Sequence, residues 1–260
     1  MTSPRVPPLK SLDLSLRVIE AMAAQHAERG VSDLARELRV SKATIYRILT
    51  TLEARGYVVQ DPGSVRYRIG PRLRQFGQDG PARLDLPALA RPFMIELRDR
   101  TRENIHLAVL DGADVIYAAK EEGLHPVQVM SNVGARCPAH CVATGKAILA
   151  FAPQADRDRV IAAGLTRHTP LTHATEEAFN GELERIQARG CAVNQGEWRL
   201  EVRGVAAPIF DAAGRAIAAM GVCGPAERMS ADAIAAMVPV VTEVAARATR
   251  YIGGSDARAQ

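Results

Sequence analysis

Aromatic residues, cysteines and long apolar runs are all scarce in this 260-residue sequence. Phe, Trp and Tyr make up only 4% of the residues while 47% are hydrophobic, so Leu, Ile, Val and Ala must pack the cores. Four cysteines are too few for a disulfide scaffold in a chain of this length, which indicates a reducing compartment. No run approaches the roughly 18 apolar residues of a membrane span, and the N-terminus lacks the apolar stretch of a signal peptide. These absences favour a soluble cytoplasmic protein that does not contact a membrane.

Positive charge is concentrated in the N-terminal third of the chain. Residues 1–78 contain 13 Lys and Arg against 7 Asp and Glu, whereas residues 79–260 contain 20 against 22. A basic module on a mildly acidic remainder is typical of a polyanion-binding domain attached to a second domain. Uneven surface charge without such a function gives the same asymmetry.

Three short helices are predicted in this basic third. The first spans 11–24 with Ser11 as its N-cap, the second lies within 31–40 with Ser32 as its cap, and the third follows the N-cap Ser41. The apolar stripe predicted for the first helix consists of Leu12, Leu16, Ile19 and Ala23.

The third helix combines a buried stripe with an exposed polar face. Ile45, Ile48, Leu49 and Leu52 follow the i, i+3, i+4, i+7 spacing of a buried stripe. The opposite face and the first turn present small, hydroxylated and basic side chains. Two short helices joined by a tight turn, the second with such a face, are typical of a helix-turn-helix that contacts base edges and phosphates. The predicted DNA-contacting residues are Ser41, Lys42, Ala43, Thr44, Tyr46, Arg47 and Thr50.

A β-hairpin is predicted directly after this helix, from the strand YVVQ, the turn DPGS and the strand VRYRI. In the second strand Val65, Tyr67 and Ile69 alternate with Arg66 and Arg68, so the two arginines point away from the helices. A basic hairpin after a helix-turn-helix is a wing and suits phosphate or minor-groove contacts. The alternative is that these arginines only solvate an edge hairpin.

The remaining two thirds predict an α+β domain with an antiparallel sheet. A linker rich in Gly, Pro and charge leads into it at about 71–85, with a short helix at 71–78. Further helices are predicted at 86–103, where Pro92 should kink or split the helix, and at 142–152, 175–189 and 230–252, the last capped by Ser230. Strands are predicted at 105–110, 114–120, 127–131, 201–210 and 216–224. The expected organisation is a DNA-binding domain at 1–78, a second domain at 79–254 and a tail at 255–260.

Two segments of the second domain carry specific motifs. VGARCPAHCVATGKAILAF (133–151) contains the pattern Gly-x-Arg-x-Pro-x-His followed by Ala-x-Gly-Lys-Ala, and GVAAPIFDAAGRAIAAMGVCGPAERM (204–229) forms a hairpin with Ala-Ala-Pro and Gly-Pro elements. Together with the winged helix-turn-helix and the run YRIGPRLRQFG, they resemble the IclR-type bacterial transcriptional regulators over nearly the whole chain. The resemblance implies an N-terminal winged helix-turn-helix joined by a linker helix to a GAF-like α+β effector-binding domain. It also implies a homodimer or dimer of dimers on a palindromic double-stranded DNA operator, with no cofactor.

The resemblance further implies an effector pocket beside the helix that carries the Ala-x-Gly-Lys-Ala run. Asn194 falls where the family often has an acidic residue, Gly204 where a cysteine is common, and Gly221 and Cys223 where serines are frequent. Because these departures remove polar atoms or change their charge, the ligand of any one relative cannot be transferred. The implied effector-binding residues are Arg136, His140, Asn194, Gly204, Gly221 and Cys223.

The segment NQGEWRLEVRG carries the only tryptophan, Trp198, beside Glu197, Arg199 and Arg203. An arginine can bind a carboxylate through two hydrogen bonds, and an aromatic ring can line a pocket for a planar ligand. We therefore predict that the effector is a small organic acid, with an aromatic acid as one candidate, bound with the help of Asn194, Glu197 and Trp198. Plain packing of Trp198 and solvation of the arginines are the alternatives.

The segment CPAHC places Cys137 and Cys141 around His140, as metal sites and nucleophilic cysteines often do. Neighbours in sequence rarely have the geometry of a catalytic pair, and no Asp or Asn can be assigned to orient the histidine, so we do not expect an enzyme. The alternative function is a metal- or thiol-redox-responsive regulator that uses Cys137, His140 and Cys141. A zinc site would then need distant ligands such as Cys191, Cys223, His168 or His173.

Overall fold

The computed structural model describes residues 9–23, 28–73 and 85–254, and the chain divides into two compact units, residues 1–84 and 85–260. In the first unit, helices α1 (Lys10–Ala23), α2 (Val31–Leu38) and α3 (Lys42–Ala54) precede strands β1 (Val58–Gln60) and β2 (Tyr67–Ile69). The two strands pair antiparallel, with Val59 opposite Arg68. This is the winged helix-turn-helix that the sequence predicts.

One small core holds the first unit together. Ile45 and Leu49 of α3 are fully buried against Val18 of α1, Leu34 of α2 and Tyr67 of the wing. Every element of the unit contributes to this core, so burial of apolar surface, and not helix propensity alone, stabilises these short helices.

The buried face of α1 differs from the predicted one. Leu12 and Leu16 are exposed, whereas Val18, Ala21 and Met22 are buried. Both sets have helical spacing, so the choice between them is made by the helices against which α1 packs.

Of the three helix caps predicted in the first unit, two were wrong and one is confirmed. Ser11 lies inside α1, and Ser32 lies inside α2, whose N-cap is Gly30. Ser41 is the N-cap of α3, and its Oγ accepts a hydrogen bond from the Thr44 amide at 3.1 Å.

The second strand of the wing is shorter than predicted. Val65 does not face the helices but is exposed, with a left-handed φ of 57°. The Asp61 carboxylate accepts hydrogen bonds from the amides of Gly63 and Ser64, which closes a turn that ends only at Val65. Regular pairing therefore begins at Tyr67.

The second unit is an α+β domain around a six-stranded antiparallel sheet of order β5-β4-β3-β8-β7-β6. Its fold class is the one that the sequence predicts. Its strands are β3 (Asn104–Asp111), β4 (Asp114–Glu121), β5 (Arg136–Pro138), β6 (Ala192–Asn194), β7 (Val202–Phe210) and β8 (Ala216–Pro225). Its helices are α4 (Leu86–Thr101), α5 (Ala143–Ala150), α6 (Gln154–Ala163), α7 (Glu176–Arg189) and α8 (Ala231–Tyr251).

The sheet is covered by helices on both faces. In β7, Val205 and Ala207 belong to a core that includes α4 and α8, while the residue between them, Ala206, belongs to a core that includes α5 and α7. This follows from the alternation of side chains along a strand. Burial on both faces also explains why β7 and β8 are almost continuously apolar.

Several predicted boundaries of the second unit need correction. Residues 127–131 do not form a strand, because the edge of β4 pairs with β5, and the Asn104 side chain instead binds the Val129 carbonyl at 2.8 Å. Helix α6 and strands β5 and β6 were not predicted. Helix α4 is not split at Pro92, which lies on its exposed side, where water can bond to the carbonyl that proline leaves without a donor.

Residues 71–73 are helical, and the rest of the helix predicted at 71–78, like the tail at 255–260, lies outside the described residues. Among the residues that the structure does describe, no helix is both long and apolar enough to cross a membrane.

Candidate functional site

Helix α3 presents one exposed face to solvent. Burial of Ile45 and Leu49 on the inner face fixes the rotation of the helix, so Lys42, Tyr46 and Arg47 are exposed. Ala43 and Thr50 share this face, Ser41 caps it, and Thr44 is half-buried with its hydroxyl 2.8 Å from the Ser41 Oγ. The residues predicted to contact DNA therefore lie together around the first three turns of the helix.

The two wing arginines have different surroundings. The Arg66 guanidinium donates to the Asp33 carboxylate at 2.8 Å and to the Glu28 carbonyl at 3.2 Å. Arg68 is exposed, and no side chain in the described ranges forms an ion pair with it. Arg68 is therefore the wing arginine whose charge is available to a phosphate.

A cavity of about 510 Å³ opens in the second unit. It is bounded by strands β3, β4, β7 and β8, the start of α5, and the segments 128–135 and 194–202. The effector residues predicted from the sequence that line it are Asn194, Trp198, Gly204, Gly221 and Cys223.

Gly221 illustrates how the sheet forms the floor of this cavity. It lies opposite His106 of β3 and Ala206 of β7. A Cβ at this position would come within 2.7 Å of both the Ala206 Cβ and the Val205 carbonyl oxygen. Close packing therefore requires glycine here, and the residue adds no polar side chain to the cavity.

Three of the predicted residues lie outside the cavity lining. Arg136 forms ion pairs with Asp111 and Asp114 at the exposed edge of the sheet. His140 is buried with its Nε2 atom 3.1 Å from the Thr166 carbonyl oxygen, and Glu197 is buried in an ionic network.

The cavity also contains polar residues that sequence reasoning missed. His106 stacks on Tyr117 with ring centroids 4.2 Å apart, and its Nε2 atom lies 2.7 Å from the Ser131 hydroxyl. Burial, assisted by the charge of Lys120, lowers the pKa of His106 to about 4, so the imidazole is neutral at pH 7. Burial also raises the pKa of Tyr117. The sequence signal that could have pointed to His106 and Tyr117 is that each is a polar residue in a predicted strand that is otherwise mostly apolar.

The first turn of α5 faces the cavity through Val142, Ala143 and Thr144. Val142 is the N-cap and provides no side-chain hydrogen bond, so no side chain within the described ranges caps the amides of this helix end. The Thr144 hydroxyl is buried and has no hydrogen-bond partner among the described residues. Free amides, the positive end of the helix dipole and a free hydroxyl together favour an anionic group.

A buried ammonium group fixes the wall that carries Asn194 and Trp198. Lys146 is fully buried, and its Nζ atom lies 2.8 Å from the Glu197 carboxylate and 3.1 Å from the Glu182 carboxylate. Burial alone would raise the pKa of Glu182, but the positive charge of Lys146 holds it below its usual value.

The turn at 194–197 is stabilised from within as well. The Asn194 Oδ1 atom accepts hydrogen bonds from the amides of Gly196 and Glu197 at 2.9 and 3.0 Å. This leaves the side-chain amide group of Asn194 as its donor toward the cavity. Trp198 then follows half-buried, with the Arg199 guanidinium 4.8 Å above its ring.

Gly145, the glycine of the Ala-x-Gly-Lys-Ala run, is required by close packing at the start of α5. A Cβ at this position would lie 2.2 Å from the Ala139 carbonyl oxygen. Glycine therefore lets α5 pack directly on the turn before it, at Ala139, and brings Lys146 to its buried carboxylates. The Ala-x-Gly-Lys-Ala run thus builds the cavity wall through packing and charge.

Comparison with known proteins agrees with this architecture. Residues 11–62 match the IclR helix-turn-helix domain, and residues 81–250 match the C-terminal domain of the bacterial transcriptional regulator IclR. The chain is 31% identical over 216 residues to the HTH-type transcriptional regulator XynR of Escherichia coli K12, covering 83% of this chain and 86% of XynR.

Two solved structures share the fold over nearly the whole length. A structure from Silicibacter sp. TM1040 that is assigned as an IclR transcriptional regulator has a TM-score of 0.82 and 28% identity, covering 95% of this chain and 97% of its own. An IclR homolog from Microbacterium hydrocarbonoxydans, complexed with 4-hydroxybenzoate, has a TM-score of 0.60 and 25% identity, covering 94% of this chain and 100% of its own. The chain belongs to the IclR family of bacterial transcriptional regulators.

Proposed function

We propose that a small organic acid, bound in the cavity of the second unit, controls how this transcription regulator acts on its operator. The observation that carries the proposal is the unpartnered, buried hydroxyl of Thr144 at the uncapped start of α5. A carboxylate placed there accepts hydrogen bonds from the first-turn amides and from Thr144, and it lies at the positive end of the helix dipole.

Aromatic side chains support an aromatic or other planar acid. Trp198, Tyr117 and the neutral imidazole of His106 line the same cavity, and its volume of about 510 Å³ accommodates a benzoate-sized molecule. The Arg199 guanidinium over the Trp198 ring adds positive charge at the rim. The IclR homolog complexed with 4-hydroxybenzoate has the same fold, which makes this acid a suitable first probe.

On the DNA side, we propose that α3 enters the major groove and the wing contacts the backbone. The support is the exposed polar face of α3 and the free charge of Arg68. A homodimer or dimer of dimers would place two such helices on a palindromic operator, with half-sites about one helical turn apart. The residues proposed to contact DNA are Ser41, Lys42, Ala43, Thr44, Tyr46, Arg47, Thr50 and Arg68, while Arg66 holds the wing through its ion pair with Asp33.

The effector proposal is tested by titrating the full-length protein with benzoate, 4-hydroxybenzoate and pyruvate while following the fluorescence of Trp198. Thr144→Val keeps the shape of the side chain but removes the hydroxyl, and should weaken the binding of the active acid at least about 10-fold. Thr242→Val in α8, whose hydroxyl binds the Val238 carbonyl, is the matched control and should bind as wild type. If no acid changes the fluorescence or the melting temperature, the effector proposal is wrong.

Operator binding is tested by a gel shift on DNA upstream of the protein's own gene, with and without the active acid. Specific binding should weaken steeply with salt, because phosphate contacts release counterions. Sedimentation of the complex and footprinting of the bound DNA report the oligomeric state and the symmetry of the site. Failure to bind at low salt would contradict the DNA-binding assignment of these residues.

A further inference from the structure

A second cluster of chemically active side chains lies just before α5, outside the cavity lining. Within the described residues, His140, Cys141 and His168 place their nitrogen and sulfur ligand atoms within 4.8 Å of one another. We propose that these three residues form a Zn²⁺ site whose fourth coordination position is open to water.

The proposed ligand set differs from the one that the CPAHC segment suggests. Cys137 does not belong to the group, because it lies in the cavity lining beside Tyr117. The third ligand comes instead from His168, which is distant in sequence and follows α6. Ligands joined from two separate segments are typical of zinc sites, whereas three neighbours in one short segment rarely reach one ion.

The three ligand atoms would need to move only slightly closer together to bind one Zn²⁺ ion. Zn–N bonds of about 2.0–2.1 Å and Zn–S bonds of about 2.3 Å place tetrahedral ligand atoms roughly 3.3–3.7 Å apart. The observed separations of up to 4.8 Å thus exceed this by about 1 Å. His168 is exposed, so its side chain is free to make that movement, while His140 and Cys141 are buried and fixed.

The surroundings of His140 match those of a metal-bound histidine. Its Nε2 atom lies 3.1 Å from the Thr166 carbonyl oxygen and donates a hydrogen bond to it, which leaves Nδ1 as the nitrogen with a free lone pair. Metal-binding histidines usually hold their second ring nitrogen in this way, which fixes the tautomer and the ring.

The donor atoms select the class of metal. Two imidazole nitrogens and one thiolate suit Zn²⁺, and they disfavour Mg²⁺ and Ca²⁺, which take oxygen ligands. Cys141 is a free, buried thiol. Zn²⁺ binding forms the Zn–S bond and releases the thiol proton to solvent.

The site connects to the wall of the cavity. Thr169, next to His168, donates its hydroxyl to the Gly196 carbonyl at 2.8 Å, and Thr172 donates to the Glu197 carbonyl at 2.6 Å. Zn²⁺ would therefore fasten the segment that supports the turn before Trp198 to the start of α5. Its binding is expected to stabilise this part of the domain independently of any effector.

The test uses the full-length protein, stripped with a chelator and titrated with Co²⁺ as a visible substitute for Zn²⁺. We expect one Co²⁺ per chain, a thiolate-to-metal charge-transfer band in the near ultraviolet, and loss of that band when Zn²⁺ is added. Zn²⁺ at about 100-fold above its Kd should raise the melting temperature of the metal-free protein by roughly 5–10 °C.

Two variants and two controls decide whether these ligands are the right ones. Cys141→Ser should remove the charge-transfer band, and His168→Gln, an exposed position where folding is not at risk, should weaken Co²⁺ binding at least about 10-fold. Cys191→Ser, a buried thiol outside the group, and His173→Gln should bind Co²⁺ as wild type does.

A wild-type protein without the band at tenfold excess Co²⁺, or a band that both ligand variants keep, would overturn the proposal. Neither readout uses an organic acid or DNA, so this result and a failure of the effector proposal are distinguishable.

Discussion

The Lys146 ammonium and the Glu197 carboxylate form a buried ion pair 2.8 Å apart, and Trp198 is the next residue along the chain. Helix α5 and the cavity wall that carries Asn194 and Trp198 are therefore joined by charge as well as by packing. A buried charge that loses its partner is costly, because it has already been removed from water. This makes the pair the point at which the cavity is most sensitive to substitution.

Lys146→Met should lower the free energy of unfolding by about 3–5 kcal/mol, because it leaves Glu182 and Glu197 buried without their cation. Unfolding in urea followed by Trp198 fluorescence reports this unit specifically, since the chain has one tryptophan. The matched control is Arg185→Met, which removes an exposed cation from the same Glu182 carboxylate and should cost at most about 1 kcal/mol. Equal losses in the two variants would show that burial of the ammonium is unimportant.

Two glycine-to-alanine substitutions should change the stability of the second unit in opposite directions. Gly145→Ala forces a methyl group to within 2.2 Å of the Ala139 carbonyl oxygen, and should destabilise the domain by about 2–3 kcal/mol or more. Gly181→Ala, inside α7, has only an arginine side-chain nitrogen at 3.9 Å and should stabilise it by about 0.5–1 kcal/mol. Thermal unfolding of both variants checks this, and a stabilising Gly145→Ala would contradict the close approach.

Much of the fold follows from local patterns. The inner face of α3 and its cap at Ser41 were predicted because a 3.6-residue period and an N-cap are properties of one short segment. In α1, by contrast, Leu12 and Leu16 have the right spacing but are exposed, because the partners of that helix decide which apolar face is buried. The short edge strands β5 and β6 were missed because three residues carry too little pattern to be recognised.

The site was predictable only in part, since its residues meet through long-range contacts. Asn194 and Trp198 were expected at the cavity from the resemblance and from residue chemistry, and they line it. Glu197 stands between the same neighbours, yet it turns away to Lys146, 51 residues earlier in the chain. No local signal shows which of two adjacent residues, Glu197 or Trp198, faces the cavity. Thr144 was missed for the same reason, because its lack of a partner is visible only in three dimensions.

Acidification should lower the free energy of unfolding of the second unit, partly through His106. Its pKa is about 4 in the folded protein and about 6.5 in the unfolded chain, so the unfolded chain takes up the proton first. The stabilising contribution of the neutral ring is therefore complete above pH 6.5 and is lost as the pH falls to about 4, a change of about 3 kcal/mol.

The variant that isolates this contribution is His106→Gln. Urea unfolding at about pH 7, 5.5 and 4.5, which covers most of the interval between the two pKa values, should show a shallower loss of stability than in wild type. All proteins are measured without metal, and His168→Gln, at an exposed position outside the cavity lining, is the control that should keep the slope of the wild type. Parallel slopes for His106→Gln and wild type would contradict the buried, neutral histidine.

Arg66 and Arg68 should differ in their contribution to DNA binding, although only Tyr67 separates them in the wing. The Arg66 charge is already held by Asp33 at 2.8 Å, whereas Arg68 is exposed. Arg68→Ala should make the slope of log affinity against log salt shallower by about 1, as expected for one lost phosphate contact. Arg66→Ala should leave that slope unchanged and lower the melting temperature instead, because it removes an intramolecular ion pair. Gel shifts across a salt series measure both slopes, and equal changes in the two variants would refute this division of roles.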